Sequence, residues 1–195
     1  MTTLVIASGN AGKVREFGQL LEGLGLNTQP QPEGIEVDET GDTFAANARL
    51  KAEAVAQATG QWALADDSGL SVDALGGAPG VHSARYAATD AARIERLLQE
   101  LNAAGAHDTR SRTALFTAAL ALADPSGRVV VEVDGHCRGE ILTERRGDGG
   151  FGYDPVFYVV EAGLSFAEMS SELKEELGHR GKAVQLLKER IRNLL

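Results

Sequence analysis

An α/β fold is predicted by apolar strands that alternate with amphipathic helices along the chain. Leu4-Val5-Ile6-Ala7 is an apolar run that passes through a glycine-containing loop into a helical stripe of Val14, Phe17, Leu20, Leu21 and Leu24. Trp62-Ala63-Leu64-Ala65 is a second apolar run, closed by Asp66, Asp67, Ser68 and Gly69. Residues 113–123 and 128–133 carry long apolar alternation, and Asp124-Pro125-Ser126-Gly127 between them is a hairpin signal. These two segments read as the backbone of a sheet. At 195 residues and 43% hydrophobic content the chain can bury one sizeable core, pinched into two lobes.

The first strand leads into Ser8-Gly9-Asn10-Ala11-Gly12-Lys13, with the helix expected from Val14 to Leu24. A glycine loop that opens a helix offers free backbone N–H groups, the positive end of a dipole and, here, a lysine. The spacing is not that of a Walker loop, and a strand-to-helix turn needs glycine in any case. Pro30, Pro32 and Gly34 mark an irregular crossing. Residues 35–41 are dense in acid, which suits either a solvated loop or a second carboxylate, Glu39, beside a cation. Asp42 is expected to cap a helix from Thr43 to Thr59, with Gly60 just past its end. Asn47 and Lys51 are four apart and share a face of it.

The strand from Trp62 is expected to stop at its two aspartates. Consecutive side chains point to opposite faces of a strand, but at a strand's end both can reach one cleft beyond the sheet edge. Carboxylates about 4 Å apart repel by roughly 4 kcal/mol at an effective dielectric of about 20. A magnesium ion relieves this with one or two carboxylates plus water and phosphate oxygens. Asp-Asp-Ser-Gly is also the composition of a solvated turn, and both readings stand at this level.

Leu-Gly-Gly-Ala-Pro-Gly at 75–80 is a turn, and Arg85 after it faces either a phosphate or solvent. Thr89-Asp90 opens an amphipathic helix that turns Ile94, Leu97, Leu98 and Leu101 inward and ends at Gly105. Beyond the hairpin, Gly135 to Leu142 continues the sheet after a glycine break. In the second glycine-dense loop, 147–155, the backbone can approach a flat ligand and Phe151 or Tyr153 can stack on a base. Val156 to Val160 resumes a strand. Ser165-Phe166-Ala167-Glu168 is a capping box opening a helical region, which Lys174 and Gly178-His179-Arg180-Gly181-Lys182 interrupt. A last helix from about Ala183 is expected to bury Val184, Leu187, Ile191 and Leu194.

A net charge of −9 argues against nucleic-acid or membrane partners while leaving room for a small anionic substrate. Four of the five lysines, Lys13, Lys51, Lys174 and Lys182, fall in the stretches singled out above. The lone cysteine, Cys137, excludes an internal disulfide and fits a cytoplasmic protein, as does an N-terminus that enters a strand at once.

Taken together and in order, Ser8 to Lys13, Asp38 to Gly41 with Asn47 and Lys51, Ala65 to Gly69, Gly149 to Asp154, and Lys174 with His179 to Gly181 resemble one family. It is the inosine triphosphate pyrophosphatase family, and the resemblance spans essentially the whole chain. It implies a single domain over 1–195: a long mixed β-sheet with flanking helices, in two lobes around a central substrate cleft. It further implies a Mg²⁺-dependent homodimer that hydrolyses ITP, dITP and XTP to nucleoside monophosphate and pyrophosphate. By motif, Ser8, Gly9, Asn10, Ala11, Gly12 and Lys13 would hold the triphosphate, with Lys51 nearby. Glu39 and Asp67 would bind the metal. Asp67 would also activate the attacking water, Asp66 would assist, and Ser68 would contact substrate. Phe151, Gly152, Tyr153, Asp154, Lys174, His179 and Arg180 would form the nucleotide and base pocket. The chain departs from the pattern at Gly178, where members often carry serine. Two alternatives are a related pyrophosphatase with another base preference, and a nucleotide-sensing module without catalysis.

Overall fold

The computed structural model describes residues 1–192 and residue 194. In chain order its elements are β1 (Thr2–Ile6), α1 (Ala11–Leu20), β2 (Leu26–Pro30), α2 (Phe44–Thr59), β3 (Trp62–Val72) and α3 (Asp90–Ala103). They continue with β4 (Thr113–Ala123), β5 (Val129–Ile141), β6 (Phe157–Val159), β7 (Leu164–Ser165), α4 (Ser171–Leu177) and α5 (His179–Ile191). Among the described residues the strands form one seven-stranded sheet ordered β2-β1-β3-β4-β5-β6-β7. It is mixed: β1 runs parallel to β2 and β3, while β6 is antiparallel to β5 and β7. No helix among the described residues is long and apolar enough to cross a membrane.

The chain divides into two compact units. The first comprises Met1–Asp67, Ala118–Gly135 and the residues from His179 onward. Its inner strands β1, β3 and β4 are buried on both faces, and the period of two decides which side chain goes where. Leu4, Ile6, Leu64, Leu120 and Leu122 pack against Phe17 and Leu20 of α1 and Val184, Leu187 and Ile191 of α5. The alternate residues Val5, Ala7, Ala63, Ala65, Ala119 and Ala121 meet Ala48, Ala52, Val55 and Ala56 of α2. Alanine on both sides of that layer lets α2 lie close to the strands.

The second unit comprises Ser68–Thr117 and His136–Gly178. Its core joins Leu70 and Val72 of β3 to Ile94, Leu97 and Leu101 of α3 and to Phe116, Phe157 and Phe166. The Phe116 ring meets Phe157 edge-on at 4.6 Å and stacks on Phe166 at 5.7 Å. Within this unit Arg112 is 1% exposed. Its guanidinium donates to the carbonyls of Ala106 (2.7 Å) and Leu142 (3.1 Å) and to Asn102 Oδ1 (2.8 Å), tying the end of α3 to the end of β5. Arg112→Met keeps the side-chain length and strands the carbonyls of two buried residues, Ala106 and Leu142, while exposed Asn102 can turn to water. It is expected to destabilise by about 3 kcal/mol, since each loss costs about 1–3 kcal/mol and relief of the buried charge offsets part. A lower urea midpoint at unchanged slope would show it.

Several boundaries differ from the sequence expectation, each for a local reason. β3 does not stop at Asp66 but runs to Val72, so both aspartates lie mid-strand. α1 begins at Ala11 because Asn10 caps it, and it ends at Leu20; Leu24 is exposed. β2 was hidden by its polar sequence, LNTQP, which a sheet-edge strand with a terminal proline tolerates. Thr43, not Asp42, caps α2, its side chain accepting the Ala46 N–H. β5 runs unbroken through Gly135. The capping box of Ser165 and Glu168 is present but opens only one 3₁₀ turn. Lys174 lies within α4, and α5 starts at His179, four residues before Ala183. Leu194 lies beyond α5 and is 44% exposed, so it is not part of the core.

Candidate active site

The alternation that builds the first unit also sends its two adjacent aspartates to different partners. Asp66 follows Leu64 onto the face covered by α1 and α5, and Asp67 follows Ala63 and Ala65 onto the α2 face. Asp66 Oδ2 lies 2.8 Å from Lys13 Nζ and 3.6 Å from Arg180 Nη2. Arg180 Nη1 in turn donates to Glu16 Oε2 at 3.3 Å. On the other face Lys51 Nζ is 3.6 Å from Asp67 Oδ1 and 3.2 Å from Glu39 Oε1, and it donates to the Asp66 carbonyl at 2.8 Å. Residues 13, 39, 51, 66, 67 and 180, far apart in sequence, thus form one connected set of charges.

Local structure places each of them. Asn10 Oδ1 accepts the N–H groups of Gly12 (2.9 Å) and Lys13 (3.1 Å), and Ser8 Oγ accepts that of Asn10 (3.0 Å). Ser8 and Asn10 are therefore committed to the start of α1, and the Gly12 and Lys13 N–H groups are not free as the sequence suggested. What the turn presents is the Lys13 side chain. His179 and Arg180 are buried, at 2% and 6% exposure, in the first turn of α5 rather than on a solvated linker. That turn seats on Gly135 of β5, where a Cβ would lie 2.2 Å from the His179 carbonyl oxygen and 2.5 Å from the Ala183 nitrogen. The missing hydroxyl at Gly178 also has a steric cause: a Cβ there would lie 2.4 Å from the Lys174 carbonyl oxygen, which accepts the Gly178 N–H.

The two aspartates differ in proton affinity. Burial pushes the Asp66 carboxyl up, but Lys13 and Arg180 more than offset this and hold it well below the usual carboxylate range. Lys13 is itself lowered, chiefly by burial, with Asp66 opposing and Arg180 and Lys51 adding to the fall. Burial raises Asp67, with Lys51 opposing and Glu39 reinforcing. Asp66 is thus held ionised while Asp67 binds a proton more readily, an asymmetry by which adjacent carboxyls can divide acid–base work.

The donors present suit a hard divalent cation. Glu39 and Asp67 meet on one ammonium, and Asp67 Oδ2 is buried with no hydrogen-bond partner among the described residues. No cage of three or more His, Cys, Asp or Glu ligands occurs among the described residues. Magnesium does not require one, because it takes one or two carboxylates and completes its shell with water and phosphate.

Within the second unit the 147–155 loop is held by its own side chains. Asp154 Oδ2 accepts the Phe151 N–H at 3.1 Å and the Lys174 ammonium at 2.9 Å. That ammonium lies 5.3 Å from the Phe151 ring centroid. The Gly152 N–H donates to Asp90 Oδ2 at 2.9 Å. Tyr153 is buried in the core and its hydroxyl donates to the Ser83 carbonyl at 2.7 Å, so it is not available to stack on a base, whereas Phe151 is half-buried. Ser68 lies half-buried in β3, directly after Asp67. Sequence reasoning missed Glu16 and Asp90. Glu16 lies one helical turn beyond Lys13, a signal that was present, but its partner Arg180 is 164 residues away.

Comparison with known proteins agrees with this architecture. The family model described as the Ham1 family matches residues 4–190. A dITP/XTP pyrophosphatase of Parasynechococcus marenigrum (strain WH8102) is 62% identical over 195 residues, covering 100% of this chain and 97% of that protein. A solved structure of a HAM1 protein from Coxiella burnetii matches with a TM-score of 0.85 at 41% identity, covering 98% of both chains. The Staphylococcus aureus Ham1 protein matches with a TM-score of 0.82 at 38% identity, covering 97% of this chain and 98% of that one. A mixed sheet with flanking helices, paired aspartates reached by distant lysines, and near-complete coverage at high identity lead to one conclusion: the chain belongs to the Ham1 family.

Proposed function

We propose that the protein hydrolyses non-canonical purine nucleoside triphosphates, ITP, dITP and XTP, to the nucleoside monophosphate and pyrophosphate. The observation that carries this reading is the opposite poise of Asp66 and Asp67, each against its own lysine, in a chain 62% identical to a dITP/XTP pyrophosphatase. Water attacks the α-phosphorus. Its oxygen forms the new P–O bond, the bond to the α–β bridging oxygen breaks, and pyrophosphate leaves with that electron pair. Asp67, raised by burial, takes the proton of the water. Lys13 and Lys51 face the charge that builds on the phosphate oxygens, and Asp66 holds Lys13 in place. Glu39 and Asp67 would hold Mg²⁺, which when bound supplies charge neutralisation for the triphosphate. Donors on His179 and Arg180 would select the 6-oxo group of hypoxanthine and xanthine over the 6-amino group of adenine. The reading carries with it a cytoplasmic homodimer, and a solution molar mass by light scattering of twice that of the chain is expected.

The direct test is product analysis with purified protein and ITP: pyrophosphate, not orthophosphate, is expected with Mg²⁺ and none without it. Arg180→Ala is expected to raise KM for ITP about 10-fold and to narrow the preference for ITP over ATP while changing kcat less. Steady-state assays across ITP, XTP, GTP and ATP decide it, and unchanged selectivity would move base recognition elsewhere.

A further inference from the structure

We infer that Asn47 is a positioning residue for the Glu39 carboxylate, an inference that rests on the metal-binding reading of Glu39 and Asp67 above. Asn47 is 0% exposed on α2, and both halves of its carboxamide are used on a single residue of the preceding loop. Its Oδ1 accepts the Gly41 N–H at 2.7 Å, and its Nδ2 donates to the Gly41 carbonyl at 3.3 Å. The amide thus stands in for a strand neighbour to a peptide that no strand reaches. The approach is close enough to require glycine: a Cβ on residue 41 would lie 2.7 Å from Asn47 Oδ1 and 2.7 Å from Ala46 Cβ.

Gly41 is two residues from Glu39, and between them the Thr40 N–H donates to the Asp38 carbonyl at 3.0 Å, closing a tight bend. One helical turn beyond Asn47, on the same face of α2, Lys51 holds the Glu39 carboxylate itself at 3.2 Å. The helix therefore grips the acidic loop twice, by backbone through Asn47 and by side chain through Lys51. The second grip alone is loose, because an ammonium on a flexible stem is shared with Asp67 and the Asp66 carbonyl. With the backbone clipped, Glu39 stands near Asp67 before any cation arrives, and binding does not have to order the loop.

The test measures Mn²⁺ binding by calorimetry on full-length wild type, Glu39→Gln, Asn47→Ala and Gly41→Ala, alongside kcat for ITP at limiting and saturating Mg²⁺. Asn47→Ala and Gly41→Ala are each expected to weaken Mn²⁺ binding about 10-fold, the range in which outer partners of metal ligands act. Their kcat should recover to within about two-fold of wild type as Mg²⁺ is raised, which a general loss of folded protein would not allow. Gly41→Ala breaks the clip from the loop side, so it carries the test if Asn47→Ala does not fold. If both variants bind Mn²⁺ like wild type while Glu39→Gln does not, the role of Asn47 is overturned and the metal site stands. If Glu39→Gln itself binds like wild type, the metal reading fails and this inference with it.

Discussion

Asp67→Asn is expected to lower kcat for ITP about 10³-fold or more while leaving the thermal midpoint unchanged or slightly raised. A positioned general base contributes about 10²–10⁴ in rate, and the same carboxylate is one of two proposed metal ligands, so both contributions fall together. Stability moves the other way because this carboxyl sits where burial disfavours its charge, with one lysine shared among three acceptors in partial compensation. Replacing it with a neutral amide of the same shape removes that penalty, as happens where activity and stability compete for a residue. Pyrophosphate release and a melting curve on one preparation check both halves. Turnover near that of wild type would place the base on another residue.

Asp66→Asn is expected to do the reverse to the fold, destabilising it by about 4 kcal/mol, or roughly 10 °C in Tm for a chain of this size. The lost charge faces Lys13 and Arg180, whose side chains are only 15% and 7% exposed and converge on the one oxygen. Neutralising Asp66 takes from Lys13 its carboxylate and leaves Arg180 with Glu16, weakening the compensation of two cations in a poor solvent for them. The pH dependence follows from the sign of the shift. Asp66 is held below its unfolded value of about 3.9, so its contribution is fully present above that pH and is lost as pH falls below it. Urea midpoints of wild type and Asp66→Asn should therefore differ most near neutrality and converge as the solution is acidified below about pH 4. A constant gap would mean that the pair with Lys13 and Arg180 is not what stabilises the wild type.

The contrast between these neighbours was half legible in the sequence. Two carboxylates after an apolar run marked the place, but the run was taken to end there, so both were expected to turn toward one cleft. Continuation of β3 to Val72 restores strict alternation, and alternation gives the two residues different helices, different cations and opposite proton affinities. The strand was cut short because polar residues in mid-strand resemble a turn when no partner is visible. Their partners, Lys13 and Lys51, lie 53 and 16 positions upstream. Strong periodic segments such as α2, α3 and β4 were placed nearly to the residue, since their apolar spacing is set by the core they face. His179 and Arg180 were located in sequence and misplaced in context: a glycine before them looked like a linker, whereas the helix starts on them. Asp90 and Glu16 carry ordinary helix-surface spacing, and only the fold shows what they hold.

The bare backbone of Gly135 beneath the opening turn of α5 has a practical consequence for redesign. Anyone wishing to retune the base preference proposed for His179 and Arg180 would reach first for residues on that helix, but its mooring admits no added methyl without sliding the whole rod. Arg180 would travel with it, and so would the counter-charge on which Asp66 depends. Alterations of base preference are thus best introduced at side-chain tips, because at this seat the aim of the helix and the integrity of the charge cluster are a single degree of freedom.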